Sequence, residues 1–426
     1  MPESVIVLIV SSTSPLWHSL QALLLYIRML RLRVHCSLRN VLRRWMTHGL
    51  CLLAWTLSLA SLLASAQVPA TIADQLTSDE HLAKPGWWPR KGDAARKEYV
   101  GVEVCAECHS AIAQGQQQHA MAHTSMPASQ SEGLKQPVGF DIGPFHYSMA
   151  VEKGASTYTV TNGSQSFSAP LLWAFGSGTH GQSFLYQNKD DFYEARISFF
   201  RGIGFDITPD HPKEIPNSLE AALGRKIDKE EAPKCFGCHA TAVMNNERFG
   251  PGEMIPGISC EGCHGPGAAH VALARAGTGG NPGMISNPGH LDPATSVDFC
   301  GSCHRTWWDI NQLSYRGERN ARFPAYRLEG SRCWGKGDSR ITCIACHNPH
   351  KPLVTEVSAY DEKCLSCHVK SAAVTASADH PGRGCPVNAT NCASCHMPKY
   401  QMPQMHSPFT DHRIRIVRDA KLFPDE

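Results

Sequence analysis

Fourteen of the chain's 18 cysteines fall into seven copies of one pattern, Cys-x-x-Cys-His. The copies are Cys105-Ala-Glu-Cys108-His109, Cys235-Phe-Gly-Cys238-His239, Cys260-Glu-Gly-Cys263-His264, Cys300-Gly-Ser-Cys303-His304, Cys343-Ile-Ala-Cys346-His347, Cys364-Leu-Ser-Cys367-His368 and Cys392-Ala-Ser-Cys395-His396. One turn of helix brings positions i, i+3 and i+4 onto a common face. Each copy therefore presents two thiols and an imidazole together, the arrangement that forms thioethers with two vinyl groups while the imidazole reaches the iron of a haem. The pattern predicts seven covalent c-type haems. The motif cysteines are their attachment points, and His109, His239, His264, His304, His347, His368 and His396 are the proximal iron ligands. Zinc ribbons also use paired Cys-x-x-Cys, but zinc does not require a histidine after every second cysteine. A thioredoxin-like dithiol needs a βαβ frame around one motif, not dispersed copies.

Each such iron has a second axial position. Twelve histidines outside the motifs lie beyond residue 66, enough for one on every iron. His350 is the strongest candidate, in the run Cys346-His347-Asn348-Pro349-His350. It sits too close to His347 to reach the opposite side of the same iron, so it is expected to serve another haem. His270 follows the third motif in a similar way. His180 in a Gly/Ser/Thr loop, His119 and His123 after the first motif, and His406 and His412 near the C-terminus complete the distal set. His81, His146, His211, His290 and His380 are read as surface or structural. Met126, Met397, Met402 and Met405 are read as packing residues rather than ligands.

The elements that must hold these groups are less plain. Apolar residues make up 42% of the chain and charged residues 18%, with 35 Gly and 28 Pro, which points to a loop-rich chain organised by something other than an aliphatic core. Residues 1–66 read as a leader: Arg39, Arg43 and Arg44 precede an apolar run from Leu50 to Leu63, and Ala64-Ser65-Ala66 offers a cleavage site before Gln67. The stretch upstream of that signal suggests a mis-assigned start. The leader holds six arginines and one acid, which leaves 34 basic and 37 acidic side chains beyond it, a net charge of −3. No basic stripe argues for nucleic acid. Membrane association is expected only if the N-terminal segment is retained. Export places the thiols in an oxidising compartment. Cys333 and Cys385 stand outside the motifs, and a disulfide between them or two separate buried thiols are both open.

Residues 67–98 read as an extended linker and 99–139 as a first haem segment. In 140–205, Tyr158 and Val160 alternate with Thr157, Thr159 and Thr161, and Asn162-Gly163 then predicts a two-residue hairpin turn. This stretch is expected to be a small antiparallel β insert. Residues 206–426 form a six-haem region with a C-terminal tail that supplies ligands. The predicted class is mainly α with large irregular content, organised by stacked haems.

The segment Tyr99-Val-Gly-Val-Glu-Val-Cys105-Ala-Glu-Cys108-His109 resembles the opening of cytochrome c-552/c-554-like multihaem proteins. Gly257-Ile-Ser-Cys260-Glu-Gly-Cys263-His264-Gly-Pro-Gly, Cys343-Ile-Ala-Cys346-His347-Asn-Pro-His350, and Cys395-His396-Met397-Pro398-Lys399 followed by Thr410-Asp411-His412-Arg413 are similar to later parts of the same family. The resemblance implies periplasmic electron transfer by mostly bis-His haems. All seven motifs end in His, so the Cys-x-x-Cys-Lys of pentahaem nitrite reductases is not among them. Two functions are carried forward. One is an exported electron carrier that exchanges electrons with redox proteins or quinol-linked partners. The other is an oxidoreductase acting on a small nitrogen or sulfur species at one five-coordinate haem.

Overall fold

The computed structural model describes residues 94–246, 248–277, 285–313, 317–331, 333–334, 340–368, 389–402 and 404–417. The leader, most of the 67–98 linker, His81, His380 and Cys385 lie outside the described residues. Among the described residues no helix is long and apolar enough to cross a membrane.

The dominant element is a ten-stranded antiparallel sheet. Its strands are β1 (Ser125–Pro127), β2 (Val138–Ile142), β3 (Phe145–Glu152), β4 (Ala155–Thr161), β5 (Ser166–Phe175), β6 (Gly181–Asn188), β7 (Asp191–Ala195), β8 (Ile197–Phe200), β9 (Gly204–Ile207) and β10 (Gly224–Ile227). The path runs β10-β7-β6-β5-β4-β3-β2, with β1 added to β5 and β8 bridging β6 and β9. A mainly α chain with a small β insert is therefore not what forms. The helices are short because several motif turns are hardly longer than the motif itself, as in Cys260–His264, Cys343–Cys346 and Cys392–His396. The sheet also outruns 140–205 at both ends. Its last strand, β10, carries Arg225 and Lys226, which face Glu194 and Tyr193 on β7. Two central cations leave no apolar alternation from which to read a strand.

The alternation in β4 places Tyr158 and Val160 inside, both fully buried. Tyr147, Tyr158 and Tyr186 line up across β3, β4 and β6, with centroids 6.4 and 5.3 Å apart. The hydroxyls of Tyr158 and Tyr186 both donate to Leu223 O, at 3.0 and 3.4 Å, so two of these buried phenols are satisfied. The β4–β5 turn differs from the expected two-residue form. Thr161 pairs with Ser166, leaving four residues in the loop. Asn162 Oδ1 accepts from the N–H of Ser164 (3.2 Å) and of Gln165 (2.8 Å), which substitutes a side-chain cap for the tighter turn.

A second aromatic cluster joins the sheet to the second motif. Phe236, the first variable residue of that motif, is fully buried on helix α2 (Ala232–His239). Phe175, Phe192 and Phe249 surround its ring edge-on at 4.9, 5.6 and 5.4 Å. Phe236→Ala should destabilise the protein by about 3–5 kcal/mol. Urea unfolding of the mature protein measures this, and a loss below about 1 kcal/mol would mean that the cluster does not couple the sheet to the motif.

Candidate functional site

Each motif occupies a helical turn. In the fifth, His347 N–H donates back to Cys343 O at 2.9 Å, and in the sixth His368 N–H donates to Cys364 O at 3.0 Å. The first motif lies within helix α1 (Val102–Gln117), which is kinked at His109 (φ −116°, ψ 39°). The third, Cys260–His264, stops at Gly265, whose φ of +80° suits glycine.

Backbone carbonyls orient three of the motif imidazoles. His239 Nδ1–H donates to Thr124 O (3.0 Å), His264 Nδ1–H to Ser286 O (2.7 Å) and His396 Nδ1–H to Arg415 O (2.8 Å). A carbonyl only accepts, so each Nδ1 carries the proton and Nε2 keeps a lone pair for a metal. Burial pushes the His239 and His347 imidazoles below their ordinary pKa, which keeps them neutral as ligands must be.

Two of the distal candidates face motif histidines. The His264 and His350 rings lie 6.0 Å apart and only 13° from parallel. Those of His347 and His412 lie 6.1 Å apart at 45°. His412 Nδ1–H donates to Thr410 O at 3.0 Å, which again leaves Nε2 available. Burial lowers the His412 imidazole to about 4, with the Thr410 carbonyl opposing. The other candidates are placed differently. His119 Nδ1 accepts from Met121 N–H at 3.0 Å, in a position where burial and His347 both push its pKa down. His123 is exposed, and its Nε2–H donates to Gln117 O at 2.8 Å. His180 is exposed, with Nδ1 2.7 Å from Ser407 Oγ. His270 is half-buried on the helix Ala268–Arg275. His406 Nε2 is 2.7 Å from Asp206 Oδ2, and its ring meets Phe200 edge-on at 4.6 Å.

The motifs also meet one another. Cys105 and Cys260, Cys300 and Cys343, and Cys364 and Cys392 lie close enough to affect each other's ionisation. The helices bearing these three motif pairs pack together, as do those of the second and fourth motifs, where the Cys238 thiol donates to Ser302 O at 3.6 Å.

The stretch 209–265, holding the second and third motifs, matches the family described as cytochrome c554 and c-prime. The multiheme cytochrome MtrA of Shewanella baltica (strain OS185) is 26% identical over 208 residues, which is 45% of this chain and 54% of MtrA. These similarities support a multihaem c-type cytochrome family for the chain. It spans about half the length of that curated relative. Among solved structures, the outer cell wall cytochrome OcwA shares 16% identity with the cytochrome at a TM-score of 0.35, covering 70% of this chain and 67% of its own.

The residues of this chain fit covalent haem. Two imidazoles bonded on opposite sides of one metal at about 2.0 Å, each nitrogen about 1.1 Å from its ring centre, have centroids roughly 6 Å apart. The 264/350 and 347/412 pairs stand at that centroid separation. Near the fourth and fifth motifs a cavity of about 450 Å³ is lined by Trp307, Trp308, Tyr326 and Trp334, with Arg327, Glu329, Gly330 and Arg413. Its aromatic walls suit a porphyrin face, and Arg413 suits a propionate. Burial pushes Glu329 up to about 8, so this carboxyl adds no full negative charge to the cavity at neutral pH. Among the described residues no three or more His, Cys, Asp or Glu converge as a separate metal cage.

Sequence reasoning missed the residue that anchors the tail. Asp411 is fully buried and accepts from Arg327 Nε (2.8 Å) and Nη2 (3.1 Å), from Arg413 N–H (3.0 Å) and from Arg415 Nη1. The run Asp411-His412-Arg413 reads as a solvated surface, and the only signal against that is the family resemblance around it. Burial works against the Asp411 carboxylate, but Arg327 and its other donors outweigh that and hold its pKa below the ordinary value. Asp411→Ala should cost about 3–5 kcal/mol, because it leaves a buried guanidinium unpaired. Since the folded pKa is depressed, this stabilisation is present above the ordinary carboxylate range and is lost as pH falls through the folded value. Urea unfolding from pH 7 downward should show an acid-dependent loss in the wild type that Asp411→Ala lacks.

Proposed function

We propose that the cytochrome is exported, carries seven covalent haems, most of them bis-His, and passes electrons between redox partners outside the cytoplasm. The observation that carries this reading is the two pairs of neighbouring imidazoles, His264 with His350 and His347 with His412, set among motifs that adjoin one another. Haem c supplies one-electron chemistry when bound. The chain's own part is to hold, orient and space the groups. Its cysteines provide the attachment, carbonyls such as Thr124 O and Ser286 O fix the imidazoles, and His350 and His412 provide second ligands from remote segments.

The motifs form one connected array. The first adjoins the third through Cys105 and Cys260, and the third adjoins the fifth through His264 and His350. The fifth adjoins the fourth through Cys343 and Cys300, and the sixth adjoins the seventh through Cys364 and Cys392. Cys346 and Cys364 lie close enough to affect each other's charge, which connects the fifth to the sixth, while the second packs on the fourth. No motif stands apart, as transfer across the molecule requires.

Pyridine haemochrome and intact mass on exported protein should give seven haems. His350→Ala and His412→Ala should each leave covalent haem content unchanged and convert one iron from low-spin to high-spin. His406→Ala should leave the low-spin count unchanged, since its Nε2 is held by Asp206. Fewer than seven haems would overturn the haem count. A high-spin iron already present in the wild type would favour the oxidoreductase.

A further inference from the structure

Two carboxylates outside the cysteine and histidine sets tie one motif to another. Glu261, the first variable residue of the third motif, is 2% exposed. Its Oε1 accepts from Val100 N–H (2.8 Å) and Gly267 N–H (2.8 Å), and its Oε2 accepts from Gly101 N–H (2.9 Å). Gly101 is the N-cap of α1, the helix that carries the first motif, and no side chain of its own caps that helix. The carboxylate therefore sits where backbone amides at the start of α1 converge. A Cβ at Gly267 would lie 3.2 Å from Glu261 Oε1, so the chain closes tightly around the carboxylate.

Asp361 repeats this device elsewhere. It opens the helix Asp361–Leu365 of the sixth motif and is 7% exposed. Its Oδ2 accepts from Asn391 N–H (2.7 Å) and its Oδ1 from Cys392 N–H (2.8 Å), the first amides of the seventh motif's turn. Asn391 makes no side-chain cap there. Both carboxylates thus act within motif pairs whose helices pack together, the first with the third and the sixth with the seventh. Another packed pair, the fourth and fifth motifs, is built differently. Asp292 caps the fourth motif's helix from within it, and Thr342 makes no side-chain cap for the fifth.

We propose that Glu261 and Asp361 are positioning residues, each reaching from one motif to hold the start of the neighbouring motif's helix, and so setting the spacing of the first/third and sixth/seventh haems. The proposal rests on the haem-array reading above. Reach and charge separate its consequences from ordinary capping. Glu261→Asp keeps the charge and shortens the arm by one methylene, so it cannot span the three amides. Glu261→Gln keeps the length but turns an N–H donor toward a backbone N–H. A clamp fails in both variants.

The test uses the mature, haem-loaded protein. Haem content by intact mass and pyridine haemochrome is measured first, and fewer haems than motifs in the wild type would sink the array reading independently of the clamps. With the full complement attached, Glu261→Asp and Glu261→Gln should both lose one pair's share of the exciton-split Soret circular dichroism and of the magnetic coupling between irons. Asp361→Asn should lose another share, and the Glu261→Asp/Asp361→Asn double variant should lose both additively while the fourth/fifth share survives. Wild-type coupling in folded variants that merely melt earlier would make both residues plain helix caps and overturn the proposal. Should the variants fail to mature, hydrogen exchange on the wild type decides. The amides of Val100, Gly101, Asn391 and Cys392 should exchange only with global unfolding, and exchange at loop rates would overturn it.

Discussion

An iron held from one side by a motif histidine cannot take its second imidazole from the same helical turn, and on the proposed reading the long-range structure of this chain answers that constraint. The segment from Cys343 to His350 shows how. His347 serves its own motif and faces His412, while His350 faces His264 of the third motif. Only two residues separate His347 and His350, so their rings have to point apart. The helical turn ends at Cys346, and Asn348 Oδ1 accepts from His350 N–H at 2.9 Å in a local turn. The sequence Asn348-Pro349 stops helix propagation and reverses the chain where two ligands for two centres are needed.

The backbone carries much of the remaining orientation. Thr124 O, Ser286 O and Arg415 O fix three motif imidazoles from loops 115, 22 and 19 residues away. Any residue can supply a carbonyl, so no residue type marks these positions in advance. The motif cysteines and histidines stand out in the sequence because the same residue types recur at fixed spacing, and each set falls on a helical turn. His350 and His412 were legible as candidates because each lies in a segment resembling the family. His406 lies in the same tail yet is turned to Asp206, and nothing in its local sequence separates it from His412.

The fold was legible where one face of a strand meets the core and the other meets water. Tyr158 and Val160 point inward and Thr157 and Thr159 outward, so β4 could be read from alternation. Strand β10 has no such pattern, because only Ile227 is buried while Arg225 faces Glu194 and Lys226 bridges Asp191 at 2.6 Å, contacts that depend on a partner strand about thirty residues away. Helix was overestimated for the opposite reason. The motif spacing demands one turn, and in the third, fifth and seventh motifs one turn is nearly all that forms. The sheet meanwhile assembles its own core from tyrosines and phenylalanines, and meets the haem-binding chain at Phe175, which stacks on His239 at 4.7 Å and 6°.

The buried Asp411–Arg327 pair is intelligible in the same terms. For stability alone such a pair gains little over apolar residues of similar volume, since desolvating two charges offsets most of their attraction. A two-pronged guanidinium–carboxylate contact, however, admits one register, whereas an apolar tail packed on an apolar groove can slip by a residue. Register matters here because the tail is committed at several points. His412 faces His347, Ser331 Oγ–H donates to His412 O at 3.3 Å, Ile414 N–H donates to Ser331 Oγ at 2.8 Å, and Arg415 O receives His396 Nδ1–H. A slip of one residue would turn the imidazole away from His347 and move the carbonyl off His396 together. On the proposed reading, the ion pair therefore sits beside His412 because two motifs, the fifth and the seventh, depend on where this short segment stops.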